Sequence, residues 1–441
     1  MIFSHLNDMR DEVYGLIHKL SKIDKELLKN IYLLRCLTIR QAYNAFYKES
    51  IPYFNKFIDE KINELVRYGL IEETLFNENN IALFLTKKGI DFVKSEFSIP
   101  NEILDLKTKK IGKGYYTASQ LKLLPRLIPH QIYLNQFVLD FKSIYEYKNY
   151  TSNWSYFDEK YVSQYSYIRP DGLISFLGTD FFLEMDMSTE NEKQLKDKWE
   201  HYRTFLSSNE YVNKNKKIIV IFIIANTKNI ENRKNIVKST ASQVLLDTFG
   251  ANFDIIVGTK DELLKYLFNS IIPNILQTNY KVEQLKDTLY TKHGFSVAGG
   301  YSLKSQLNNA EYEFYIRQLD ESNNIIVNNG VVQEYLLDYW YYDNLSIINK
   351  IAYLSRNSNT FKYSFNRDLR YIIVVEDIED IKKKLDLFNL ATEDNVFYTT
   401  IKRLKELPFH RALIQFSPSG EYYSFIDEQL KNRFYDDNKK E

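Results

Sequence analysis

Residues 169–199 read RPDGLISFLGTDFFLEMDMSTENEKQLKDKW. Asp171, Glu184 and Asp186 stand there among Phe, Leu, Ile and Met, where a carboxylate is costly unless something compensates its charge. The compensation is either a structural partner or a metal ion. The central LGTD (177–180) suits a two-residue hairpin loop, with Gly178 at the first central position of a type II′ turn. With Gly178 and Thr179 as the loop, Asp171 faces Asp186 and Glu184 lies diagonal to Asp171. All three carboxylates then share one face. Ile174, Phe176, Leu183, Met185 and Met187 take the other. Three like charges so close repel one another and favour a cation between them. Oxygen ligands alone, with no His or Cys nearby, point to Mg²⁺ or Mn²⁺ held by Asp171, Glu184 and Asp186.

The next helix adds a cation. Thr189 and Glu192 have capping-box spacing, which starts the helix near Glu190. Leu195, Trp199, Tyr202 and Leu206 form its apolar stripe. Lys193 and Lys196 point away from the stripe, while Lys198 falls on its edge. Lys198 either snorkels there or aims at the carboxylates. Together these groups suit metal-assisted phosphodiester cleavage. The ion would polarise a phosphoryl oxygen and activate water, and Lys198 would stabilise the developing charge. The competing reading is an acidic hairpin salt-bridged to Lys198 and Arg169, with no chemistry.

Around this hairpin the chain is long enough for two or three domains, at 441 residues with 44% apolar and 15% aromatic side chains. Its 58 basic and 58 acidic residues cancel, so net charge indicates no nucleic-acid partner. Residues 1–130 carry 20 basic and 16 acidic side chains, and 151–200 carry 5 and 10. Cys36 is the sole cysteine, which excludes an internal disulfide or a Cys-based zinc site and fits a reducing compartment. MIFSHLNDMRDEV lacks signal-peptide character. The longest apolar run, IIVIFIIA (218–225), is far short of a membrane span. A cytoplasmic protein with no membrane association is expected.

Upstream, KELLKNIYLLRC reads as an amphipathic helix and TIRQAYNAFY opens a second with Thr38 and Gln41 at capping-box spacing. IPYFNKFIDEKINELVRYGL places Phe54, Phe57, Ile58, Ile62, Leu65 and Val66 on one face of a third helix, which stops at Gly69. IEETLFNENNIALFLT then reads as a hairpin turning at NENN, and KKGIDFVKSEF as a further helix. Three helices and a β-wing make a winged helix-turn-helix. Its third helix exposes Tyr53, Asn55, Lys56, Asn63 and Arg67, and also Asp59, Glu60 and Glu64. It serves either DNA contact or dimerisation and packing. Lys107, Lys109, Lys110, Lys113, Lys122 and Arg126 come next. They could neutralise phosphates or form a solvated linker. His130 opens a helix. From 155 to 267 the pattern is α/β: the strand pair 172–187, a helix at 190–207, strands at 217–225 and FDIIVGT, and helices at 230–249 and DELLKYLF. A Tyr-rich helical segment is expected at 331–356. The stretch 370–406 echoes the end of this pattern and indicates a second α/β lobe.

RPDG, LEMDMSTE and LKDKWEHY, in that order behind a winged helix, resemble the PD-(D/E)XK nuclease core and more specifically the plasmid replication-relaxation family, over roughly 22–267. Asp171, Glu184, Asp186, Glu190, Lys198 and Tyr202 occupy the places of that family's motif, with Glu190 and Tyr202 as support. The general nuclease motif has lysine two residues after the glutamate. This chain has Asp186, so Lys198 would have to supply the missing charge. The resemblance implies an α+β multidomain protein: a winged helix at 1–100, a basic linker and connecting helix at 101–150, a restriction-endonuclease-like core at 151–275 and a C-terminal helical and α/β lobe at 276–441. It also implies a relaxase-like or replication-associated protein that nicks or melts plasmid DNA at an origin, with other relaxosome or replication proteins as partners; a homodimer goes with the dimerisation reading of the third helix. The alternative is a non-enzymatic origin-binding initiator or repressor with a degenerate core. None of the six histidines forms a His-x-His pair, which disfavours the tyrosine-nucleophile relaxase mechanism.

Overall fold

In the structure, a computed structural model, residues 19–424 are described apart from 78–79, 105–110, 163–164, 213–215, 226–228, 246–252, 305–308, 320–321, 323, 325–326, 329–330, 341–343, 383–392 and 418. The chain is α+β, with helices and several mixed sheets. It divides into two compact units, 1–175 with 185–187, and 176–184 with 188–441.

In the first unit, α1 (Lys22–Leu34) starts at a reciprocal cap. The Ser21 hydroxyl accepts the Asp24 N–H, and the Asp24 carboxylate takes the Ser21 N–H. α2 (Ile39–Ala42) starts at the expected Thr38–Gln41 box. α3 runs through Phe54–Phe57, a π turn at Ile58–Ile62, and Asn63–Arg67. Phe57, Ile62 and Leu65 are buried, whereas Val66, expected on that face, is 37% exposed. A π turn holds an extra residue and rotates the succeeding helical turn, so Val66 swings outward. Gly69, at φ +65°, ends the helix as expected.

β2 (Ile71–Phe76) and β3 (Asn80–Leu85) form the expected hairpin, and β1 (Leu37–Thr38) pairs with the far edge of β3, giving the order β1-β3-β2. α4 (Lys87–Glu96) starts at the Thr86 cap. A short ribbon pairs Glu102–Leu104 with Ile111–Lys113. α5 (Ile128–Tyr147) is bound in by buried amides: Asn135 donates to the carbonyls of Leu34 (3.0 Å) and Cys36 (2.6 Å), and Gln41 donates to that of Ile132 (2.9 Å). Cys36, Phe76, Ala82, Phe84, Leu123 and Ile128 pack into one core. Burial pushes the Cys36 thiol up to about 12, so it behaves as a small apolar side chain.

Strands β4 (Trp154–Asp158), β5 (Gly172–Phe176), β6 (Thr179–Asp186), β7 (Lys217–Ile224) and β8 (Phe253–Thr259) form a sheet in the order β8-β7-β6-β5-β4. β7 and β8 are parallel, with Ile218 beside Phe253. The hairpin turn differs by one residue from expectation. Leu177 (φ +43°) and Gly178 (φ +80°) both take left-handed backbone, the type I′ arrangement that matches strand twist. Thr179 therefore joins β6, and the frame slides by two residues. Two residues is a full strand repeat, so side chains keep their faces. α6 (Glu192–Leu206) starts at Asn191 and Gln194 rather than Thr189 and Glu192, because Asn is an N-cap at least as good as Thr. α7 (Ile230–Leu245) packs beside it, and α8 (Lys260–Tyr266) comes after β8.

Beyond α9 (Tyr280–His293), β9 (Phe295–Lys304), β10 (Asn309–Gln318), β11 (Val327–Asn328) and β12 (Val331–Trp340) make antiparallel ladders. α10 (Ser346–Phe365) crosses to β13 (Arg367–Val375), parallel to β12, and β14 (Val396–Thr399) adds parallel to β13. α11 (Ile401–Glu406), β15 (Ile414–Phe416) and β16 (Tyr422–Ser424) complete the lobe. Helices and strands alternate in this region from α10 onward. Its segment 331–340, expected to be helical, is a strand. β12 is hydrogen-bonded on both edges, and Glu334–Trp340 is buried at every position. Its apolar residues, interrupted by Gln333, Glu334 and Asp338, follow no clean period of two, so the pattern does not distinguish a buried strand from a buried helix. Among the described residues, no helix is long and apolar enough to cross a membrane.

Candidate functional site

The carboxylates of the hairpin fall into two local settings. In the first unit, Asp171 sits just ahead of β5, with its side chain 28% exposed. Its Oδ2 accepts the Met185 N–H at 2.7 Å and lies 3.3 Å from Nε2 of His130. The same His130 nitrogen is 3.1 Å from the Met185 carbonyl. His130 reaches this position from the first turn of α5. In the sequence it reads only as a helix start, and its one signal is its place at the head of the helix preceding the hairpin. Asp186, at the end of β6, is buried.

In the second unit, Glu184 is buried on β6 and both its oxygens are engaged. Lys198 Nζ donates to Oε2 at 3.0 Å, and the Tyr202 hydroxyl donates to Oε1 at 2.6 Å. Lys198 and Tyr202 are one helical turn apart on α6, so one helix face delivers both donors. Lys198 therefore aims at the carboxylate instead of snorkelling to solvent, as its edge position on the helix wheel allowed. It also pairs with Glu190 Oε1 at 3.1 Å. The other Glu190 oxygen, Oε2, is buried and accepts no hydrogen bond. Arg233 of α7 donates to the Glu190 carbonyl at 2.7 Å, fixing the segment that carries Glu190. Trp199, whose indole donates to Thr240 at 3.1 Å, locks α6 against α7 and so sets the helix rotation that points Lys198 inward.

The donor chemistry suits a hard cation: carboxylate oxygens only, one of them buried without a partner. Among the described residues no three His, Cys, Asp or Glu side chains are gathered as a metal site, so an ion would have to draw its ligands together.

Of the other candidates, Tyr53, Asn55, Lys56, Asn63 and Arg67 all lie on α3 or at its start. Tyr53, Asn55, Lys56, Asn63 and Arg67 are all exposed there. Lys56 pairs with Glu60 at 3.6 Å, and Arg67 lies 5.9 Å from the Tyr68 ring. Lys113 is exposed at the end of the short ribbon, 6.0 Å from the Tyr115 ring. Lys107, Lys109 and Lys110 lie outside the described residues.

These features define an α+β protein with a helix-and-hairpin unit ahead of a helix-flanked sheet whose strand carboxylate Glu184 is held by a lysine and a tyrosine. Residues 28–221 match the model of the replication-relaxation family. Asp171, Glu184, Asp186, Glu190, Lys198 and Tyr202 all lie within the match; the C-terminal lobe lies beyond it. No curated protein and no solved structure matches the chain.

Proposed function

We propose that this protein binds plasmid origin DNA and nicks it by metal-assisted phosphodiester cleavage, acting in replication and relaxation as its family's description suggests. The observation that carries the reading is Lys198. It stands 3.0 Å from Glu184, supplying from a helix the cation that nuclease motifs place on the strand. In this reading α1–α3 and the β2–β3 hairpin act as a winged helix, and the exposed side chains of α3 meet DNA. Asp171, Glu184 and Asp186 would hold Mg²⁺ or Mn²⁺, which supplies Lewis-acid polarisation of a phosphoryl oxygen. Lys198 stabilises charge developing on the phosphate. Tyr202 and Glu190 orient Glu184 and Lys198. His130 Nε2, facing the Met185 carbonyl and Asp171 Oδ2, acts as a donor that orients Asp171.

The test is incubation of the full chain with supercoiled origin-bearing plasmid and Mg²⁺, Mn²⁺ or EDTA. Wild type should nick with metal only. Asp171→Asn and Glu184→Gln should abolish nicking and leave DNA binding intact, while Lys198→Ala should slow it by about 10²–10³-fold. Nicking that persists in both carboxylate variants would sink the enzyme reading. A second reading, origin binding without cleavage, draws on the double engagement of Glu184 by Lys198 and Tyr202 and on Asp186 in the motif's lysine position. It predicts site-selective DNA binding with no cleavage under any metal.

A further inference from the structure

The C-terminal lobe assembles carboxylate, lysine and tyrosine groups of its own around a cavity of about 230 Å³. Phe314 pairs with Leu337 in the antiparallel β10–β12 ladder, which makes Glu313 and Asp338 the next rung. The Glu313 N–H donates to Asp338 Oδ1 at 2.8 Å, and the Tyr339 N–H donates to Glu313 Oε2 at 3.0 Å. Lys350, from the neighbouring helix α10, donates to Asp338 Oδ1 at 2.8 Å. The Tyr371 hydroxyl of β13 takes Asp338 Oδ2 at 2.6 Å. The hairpin at 171–186 has the same build. There too the first carboxylate accepts the N–H of the residue after the second, and a helix lysine and a tyrosine hold the second. The lobe therefore repeats the plan of the family-matched region on residues outside the match.

The charges around this cavity are unequally committed. Asp338 is neutralised by Lys350 and Tyr371. Asp254 caps the head of α10, accepting from Ser346 N–H and Oγ (3.1 and 2.7 Å) and from Asn344 (3.2 Å). Lys217 at the start of β7 also lines the cavity, is exposed, and forms no ion pair among the described residues. Burial first, and then the adjacent Asp338 charge, raise the Glu313 carboxyl to about 7. With Glu313 protonated, the carboxyl offers an O–H donor beside Lys217, the cation of the cavity lining that forms no ion pair among the described residues.

We propose that this cavity binds a singly charged phosphodiester group of a nucleic-acid strand, with Lys217 as counter-charge and Glu313 donating a hydrogen bond to a phosphate oxygen. The identity of the anion rests on the nucleic-acid reading above; the site itself does not. Binding is coupled to a proton. The groups facing Glu313 are Asp338 on β12, Lys350 on α10, Tyr371 on β13 and Lys217 on β7, and burial raises the Tyr371 hydroxyl well above its usual 10.0. An anion favours the protonated form of Glu313, so affinity is full below pH 7 and falls by up to about tenfold per pH unit above it.

The experiment is calorimetric titration of the full chain with the dinucleoside monophosphate TpT, whose charge is constant across the range, at pH 6 and pH 8. Wild type should bind about tenfold tighter at pH 6 than at pH 8, and at pH 8, where Glu313 is mostly ionised before binding, it should take up close to one proton, seen as a heat difference between two buffers. Glu313→Gln, which is neutral and keeps the acceptor for Tyr339, should bind equally at both pH values without proton uptake. Lys217→Met, at an exposed position, should weaken binding about tenfold or more. Absence of binding at pH 6, pH dependence that survives Glu313→Gln, or full affinity in Lys217→Met would each overturn the proposal. So would binding of inorganic phosphate in place of TpT. Neither variant touches residues 169–199 and the readout needs no cleavage, so a failure to nick plasmid leaves this test intact.

Discussion

At the scale of the residue, burial makes single polar groups decisive. Asp24 is 1% exposed at the head of α1. Burial alone would raise its carboxyl, but hydrogen bonds from Tyr47 (2.5 Å) and Ser21, with Lys61 at 3.4 Å, outweigh it and hold the group below its usual 3.8. A depressed carboxyl contributes stability that is present above its unfolded value and lost as pH falls through the folded one. Tyr47→Phe removes the shortest of these bonds and should cost about 1–3 kcal/mol at pH 7. In urea unfolding the loss should shrink at pH 3, below the usual 3.8 at which the unfolded chain's carboxyl takes up its proton. An equal loss at both pH values would separate Tyr47 from the Asp24 charge. The same logic explains why Lys198 is legible in the sequence and His130 is not. Lys198 belongs to a helix wheel that fixes its direction from neighbours a turn away, whereas His130 meets Asp171 across 41 positions of chain that no local pattern connects.

At the scale of the element, backbone geometry decides which small residues are replaceable. Gly89 lies in α4, where alanine would normally gain about 1 kcal/mol of helix propensity. A Cβ there would stand 2.0 Å from the Leu70 carbonyl oxygen, a clash with backbone that cannot swing aside. Gly89→Ala should therefore destabilise the protein by about 1–3 kcal/mol, seen as a lower urea midpoint; a gain in stability would mean that α4 sits further from Leu70. Leu177 presents the converse case. It holds φ +43° in the β5–β6 turn, where a leucine costs about 1–2 kcal/mol relative to residues at home in left-handed backbone. It is also 54% exposed, so its side chain contributes little packing. Leu177→Asn creates the Asn-Gly pair that type I′ turns prefer, and the melting temperature should rise. A fall would argue against the turn.

At the scale of the whole molecule, DNA affinity and chemistry are expected to reside in different segments. Deleting residues 1–100 should weaken duplex binding and remove sequence selectivity, as measured by binding to origin and scrambled duplexes. Replacing Lys107, Lys109, Lys110 and Lys113 with neutral residues should lower affinity evenly across sequences. It should also flatten the salt dependence, by about one unit of log–log slope for each phosphate no longer neutralised. If neither change alters binding, the DNA-binding surface lies elsewhere. The repeated plan of the C-terminal lobe gives one such place, around Glu313 and Lys217.

The sequence by itself determined what short-range rules govern. Thr38 with Gln41 fixed a helix start, Gly69 a helix stop, and the 195–199–202–206 stripe put Tyr202 inward and Lys198 at its edge. These are interactions between residues a few positions apart, and local patterns record them. Tertiary structure decided the rest. The turn at Leu177–Gly178 obeys strand twist in preference to the glycine's best-known position. The segment 331–340 is a strand because it has strand partners on both edges, which its mixed pattern of apolar and charged residues does not record. The meetings of His130 with Asp171 and of Asp338 with Tyr371 join elements far apart in the chain. Such meetings are selected by sheet order and helix packing, which no spacing along one segment encodes.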